Sequence, residues 1–131
     1  MKVLALDYGR ARTGVAVSDP TGTIARPVGV VERAGSDGGL AELAALVRKH
    51  EVERVVVGLP LTLRGERGEQ ARETEQFMEA LGAAVGVPVV PFDERFTTDL
   101  AEQMAAADAE QDARAAAHLL SSYLTWASAR A

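Results

Sequence analysis

Three acidic residues, Asp7, Glu94 and Asp112, interrupt apolar patterns in a chain of 131 residues that holds no cysteine and only two histidines, His50 and His118. At residues 3–8, strand alternation puts Val3, Ala5 and Asp7 on one face and Leu4, Leu6 and Tyr8 on the other, so a carboxylate shares a row with apolar side chains. Glu94 follows directly on the apolar run at residues 87–92. Asp112 stands one helical turn ahead of the stripe Ala115, Ala116, Leu119, Leu120, Tyr123 and Leu124, and so heads its buried face. A buried carboxylate costs on the order of several kcal/mol unless it is paired or metal-bound. Each acid also has an ordinary reading. Asp7 can cap the Gly9 loop, Glu94 can pair with Arg95 in solvent, and Asp112 can favour the positive end of a helix, as Asp108 and Glu110 can without lying on the stripe.

If the three acids converge, they can hold one or two hard divalent cations such as Mg2+ or Mn2+, which take oxygen ligands. That centre suits phosphoryl chemistry, in which a bound ion activates water and stabilises the leaving oxygen. Other chemistries are excluded by composition. Without thiols there is no thiolate zinc site, iron–sulfur cluster or cysteine nucleophile, and two histidines cannot build a histidine-rich centre.

The elements that must position these acids alternate in period. Strands are expected at residues 3–8, 14–19 and 24–32. A helix capped by Ser36 or Asp37 follows, with Leu40, Leu43, Ala44, Leu46 and Val47 at helical spacing. A β-branched strand from Arg54 stops at Gly58, and the polar stretch 62–68 opens a second helix that runs to about Leu81. The prolines make the fifth strand, 87–92, short or an edge. From Thr97, capped by Thr97 and Thr98, alanine, leucine and glutamate favour helix in two pieces broken near residues 108–111. The order β-β-β-α-β-α-β-α-α describes an α/β fold with a five-stranded mixed sheet and helices on both faces, in one domain over residues 1–131. Ligands of such sheets sit outside the carboxyl ends of the parallel strands.

Apolar residues make up 47% and charged residues 25%, and no apolar run approaches the roughly 18 residues of a membrane span, so a soluble, cytoplasmic protein with no membrane partner is expected. The net charge of −5 hides a split. Residues 1–72 carry a surplus of two positive charges and the remainder a surplus of seven negative ones.

Three segments together carry a family resemblance: Leu4-Ala5-Leu6-Asp7-Tyr8-Gly9 with Thr13-Gly14-Val15-Ala16-Val17-Ser18, Val55-Val56-Val57-Gly58-Leu59-Pro60-Leu61, and Phe92-Asp93-Glu94-Arg95-Phe96-Thr97-Thr98. Over about residues 3–123 the chain resembles the YqgF (RuvX) family of RNase H-like nucleases. The resemblance implies a metal-dependent acidic triad on Asp7, Glu94 and Asp112, and a role in maturing the 5′ end of the precursor of 16S ribosomal RNA, with Holliday-junction resolution as an alternative. Family members usually carry a longer, lysine-bearing loop before the last aspartate and a serine after it. Here residues 105–111 are short and acidic, and Ala113 follows Asp112. Contact with nucleic acid, structured RNA or branched DNA, then falls to Arg10, Arg12, Arg64, Arg67 and Arg95, on loops expected at the same sheet edge. Junction cleavage would favour a homodimer.

Two other classes compete. Asp7-x-Gly9 with Gly14 also resembles the first phosphate loop of actin-like kinases, which need far more chain. A non-catalytic module that binds nucleic acid or protein in ribosome assembly or transcription would suit the acidic C-terminal part.

Overall fold

A computed structural model describes residues 1–62, 64–96 and 109–130. Five strands, β1 (Val3–Asp7), β2 (Arg12–Ser18), β3 (Ala25–Glu32), β4 (Arg54–Leu59) and β5 (Val89–Asp93), form one sheet in the order β3-β2-β1-β4-β5. The first three make an antiparallel meander, while β4 runs parallel to both β1 and β5. The carboxyl ends of β1, β4 and β5 therefore share one edge. β5 has five residues and lies at the margin of the sheet, as Pro88 and Pro91 lead one to expect.

Helix α1 (Asp37–Lys49) is capped by Ser36, whose side chain accepts from the Gly39 N–H at 3.1 Å. Helix α2 (Glu69–Val85) closes on Gly86 in the left-handed conformation at φ 70°. Both pack on the face built by Leu4, Leu6, Val15, Val31, Val55 and Val57, where Tyr8 stacks on Phe77 with ring centroids 4.3 Å apart. Helix α3 (Ala109–Ser128) covers the other face, setting Ala116, Leu119, Leu120 and Tyr123 against Val3, Ala5, Val56 and Phe92. The alternation read along β1 holds, and Asp7 belongs to the α3 face.

Three boundaries differ from expectation. β4 continues through Gly58 to Leu59 because Gly58 pairs with Phe92 and Leu59 with Asp93. Residues 62–68 do not open α2. Thr62 closes a turn instead: its carbonyl accepts from the Gly65 N–H at 2.8 Å and its hydroxyl from the Glu66 N–H at 3.1 Å, which leaves Gly68 to start the helix. α2 also runs one turn past Leu81. The helix expected from Thr97, its caps Thr97 and Thr98, and Asp108 in the expected break lie outside the described residues, whereas Gln111 lies within α3. No helix among the described residues is long and apolar enough to cross a membrane.

Leu120 is fully buried between α3 and the sheet. Leu120→Ala should lower stability by about 2–4 kcal/mol, read as a reduced urea midpoint at unchanged slope.

Candidate active site

At the shared carboxyl edge, Asp7 ends β1, and Glu94 opens a short 3-10 turn (Glu94–Phe96) directly after β5. Their carboxyl groups are close enough to act on one another, and a proton or a cation between them would relieve the repulsion. Burial, then the Asp7 charge and hydrogen bond, push Glu94 up to about 8. Burial chiefly, with the nearby Asp112 charge adding to it, raises Asp7 as well, although its hydrogen bond to Glu94 works the other way. Asp112 approaches from the first turn of α3, half-buried, and its Oδ2 receives Arg12 Nε at 2.9 Å. The ion pair expected for Glu94 is not formed with Arg95. That guanidinium grips Asp93 instead, with Nη2 2.6 Å from Oδ2, and packs over Gly65.

Two glycines on the strands flanking β1 make this approach possible. Gly14 pairs with Asp7 across the β1–β2 ladder, and a β-carbon there would overlap the backbone carbonyl of Asp112, so the first turn of α3 can lie on the sheet only where a side chain is missing. On the other side, a β-carbon at Gly58 would stand 2.6 Å from Glu94 Oε1 and 3.1 Å from Leu119 Cδ2, in the space the Glu94 side chain occupies. Both glycines stand at the bounds of expected strands, where glycine reads as punctuation rather than close approach, and their partners lie 98 and 36 positions further on.

The cleft beside the acids has a volume of about 550 Å³ and is lined by Asp7, Gly9, Arg10, Pro60 and Glu94, with Glu69 and Glu73 of α2 on its far wall. Arg10 reaches across and pairs with Glu73 through Nε at 2.9 Å and through Nη2. Of the other arginines expected to meet nucleic acid, Arg12 holds Asp112, Arg67 stands 3.6 Å from Glu75, and Arg95 is on Asp93. Arg64 is exposed and makes no ion pair among the described residues. Four of the five thus sit at the acidic edge already matched to carboxylates.

The donor set is all oxygen, and the Asp7–Glu94 contact is a place where positive charge is wanted, so the chemistry fits a hard divalent cation. Asp112, the third donor, is engaged by Arg12, and among the described residues no group of three acids stands at ligating distance.

A five-stranded mixed sheet in this order, with acids at the carboxyl edge and the last helix laid across the central strands, defines an RNase H-like protein. The fold is shared with Thermus thermophilus RuvC solved with a Holliday-junction substrate, at TM-score 0.63 and 19% identity over 98% of this chain and 96% of that one. The chain belongs to the RuvX family, described as Holliday junction resolvase, which it matches over residues 1–126, and it is accordingly a nuclease-family protein. A protein of Chloroflexus aurantiacus named "Putative pre-16S rRNA nuclease" is 47% identical over 102 residues, covering 78% of this chain and 67% of the relative. One of the same name from Syntrophomonas wolfei is 37% identical over 132 residues, covering 95% and 94%.

Two outcomes follow from the geometry. Glu94 holds a proton in the folded chain from the ordinary glutamate range up to about 8, whereas the unfolded chain has lost it, so stability falls as pH rises through that window. In EDTA the melting temperature should therefore drop between pH 5.5 and 8.5. Asp7→Asn, which removes the like charge, should flatten that drop and melt roughly 3–6 °C above the wild type at pH 8.5. Gly58→Ala should keep stability within about 1 kcal/mol, because the added methyl displaces a side chain, yet reduce cleavage of structured RNA about a hundredfold by moving Glu94. Gly14→Ala, which meets backbone, should lose both.

Proposed function

We propose that the chain hydrolyses phosphodiester bonds in nucleic acid with Asp7, Glu94 and Asp112 as the carboxylates that hold one or two divalent cations, Mg2+ or Mn2+. The observation that carries this reading is the meeting of two half-buried carboxyl groups in one cleft, with a third acid near enough to raise the proton affinity of Asp7. A bound divalent cation supplies a water of lowered pKa and a counter-charge for the oxygen that leaves. The side chains do the rest. Asp7 is the fixed member, because its strand is hydrogen-bonded on both sides. Glu94 would hold the cation in its ionised form, which its raised proton affinity opposes until positive charge is present. Arg12, on leaving Asp112, is close to the scissile position and takes a phosphate oxygen in exchange for a carboxylate, a swap its planar fork suits. Arg10, Arg67 and Arg95 make the same exchange along the strand, and exposed Arg64 needs none. Partner carboxylates hold these guanidinium groups in place and weaken non-specific binding, which suits a chain of net charge −5.

The names of the relatives point to pre-16S rRNA as the substrate, its 5′ end is the place of cleavage in this reading, and a single domain acting in the cytoplasm suits that role. The family description favours branched DNA, in which case a homodimer would cut two strands symmetrically. Purified protein with Mg2+ or Mn2+ on a precursor rRNA 5′ segment and on a four-way junction tests both. Cleavage of the rRNA segment at one end, lost on the order of a hundredfold or more in Asp7→Asn and in Asp112→Asn, is the expected result. Cleavage retained in both variants would remove the acids from the chemistry, and cleavage of the junction alone would reassign the substrate.

A further inference from the structure

A second cleft, of about 370 Å³, opens where residue 2 leads into β1, β2 ends, β3 begins and α1 finishes. It lies on the α1 side of the sheet and at the opposite end of β1 from Asp7, about 17 Å away along the strand. Lys2, Arg26, Lys49 and His50 line its polar side, and Ile24 and Val28 its apolar side.

Three observations set this cleft apart from an ordinary solvated surface. The chain has twelve arginines and only two lysines, and both lysines are here. Lys2, Arg26 and Lys49 make no ion pair among the described residues, in contrast to the arginines at the acidic edge. Two acids are close: Asp19, which also lines the cleft and accepts from the N–H groups of Thr23 and Ile24 at 2.8 and 2.9 Å, and Glu53, whose Oε1 accepts from the backbone N–H of Lys2 at 3.2 Å. The wall opposite the cations exposes apolar surface: Ile24 is 65% and Val28 38% exposed, two of the few large hydrophobic residues left in water.

We infer that this cleft binds a nucleoside phosphate, with phosphate oxygens among Lys2, Arg26 and Lys49 and the sugar and base against Ile24 and Val28. Three cations against one lining carboxylate, beside exposed apolar side chains, match a ligand with an anionic end and a flat apolar end. The inference goes beyond the nuclease reading and does not depend on it, because the cleft shares no residue with the acidic edge. The ligand has two sources, a nucleotide within a strand or a free nucleotide.

Binding measured in EDTA, where no cleavage occurs, separates them. The probes are a short single-stranded RNA, followed by fluorescence anisotropy, and adenosine diphosphate, followed by calorimetry. The proteins are wild type, Arg26→Gln and the double variant Lys2→Gln/Lys49→Gln, each variant checked for a thermal melt close to that of the wild type. The double variant should weaken binding about tenfold and make the RNA salt dependence shallower by roughly 1.4 in log–log slope for two lost contacts, with Arg26→Gln following in part. His50 ring signals in the wild type should shift on addition of the probe that binds. Weakening confined to RNA assigns a strand, weakening confined to adenosine diphosphate assigns a free nucleotide, and weakening of both assigns the shared unit. The inference is overturned if wild type binds neither probe, or if the double variant and Arg26→Gln bind both as tightly as wild type.

Discussion

Asp7 and Glu94 meet half-buried at the carboxyl edge of the sheet, and two carboxyl groups so close ionise together only at a cost that an added positive charge would relieve. The surrounding structure is arranged around that constraint. β1 is locked between β2 and β4, so Asp7 cannot retreat. Glu94 follows β5 without a residue to spare and is held over Gly58. Arg12 supplies positive charge at Asp112, the one acid of the three that the fold neutralises with its own side chains.

The same constraint explains why small residues appear beside the charged ones. A carboxylate can be brought against a sheet from a helix only if backbone meets backbone, and Gly14 provides the gap through which α3 delivers Asp112. Gly58 does the equivalent for Glu94, and the apolar layer of Ala116, Leu119, Leu120 and Tyr123 then fixes the helix over the rest of its length. Burial along α3 thus provides the energy that holds an acid in an unfavourable place.

Much of this was legible along the chain, for reasons particular residues make clear. The alternation Val3, Ala5, Asp7 placed an acid on an apolar face, and the stripe ending at Leu124 did the same for Asp112, because both periods are set by backbone geometry. The prolines of β5 announced an edge strand. What was not legible depends on partners remote in sequence. Gly58 reads locally as a stop, yet it continues the strand because β5 pairs with it. The Thr62 hydroxyl and carbonyl hold Gly65 and Glu66 away from helix by bonds that a periodicity cannot register. Arg95 has an acid on either side, Asp93 and Glu94, and only the turn after β5 decides that it takes Asp93. The two lysines lie 47 positions apart and give no hint of one cleft.

The account is tested most directly by a crystal grown with Mn2+ and measured for its anomalous signal. It predicts a manganese peak bounded by oxygens of Asp7, Glu94 and Asp112, with the Arg12 guanidinium withdrawn from Asp112. Manganese bound elsewhere, or Asp112 still gripped by Arg12 while the ion sits on other ligands, would contradict it.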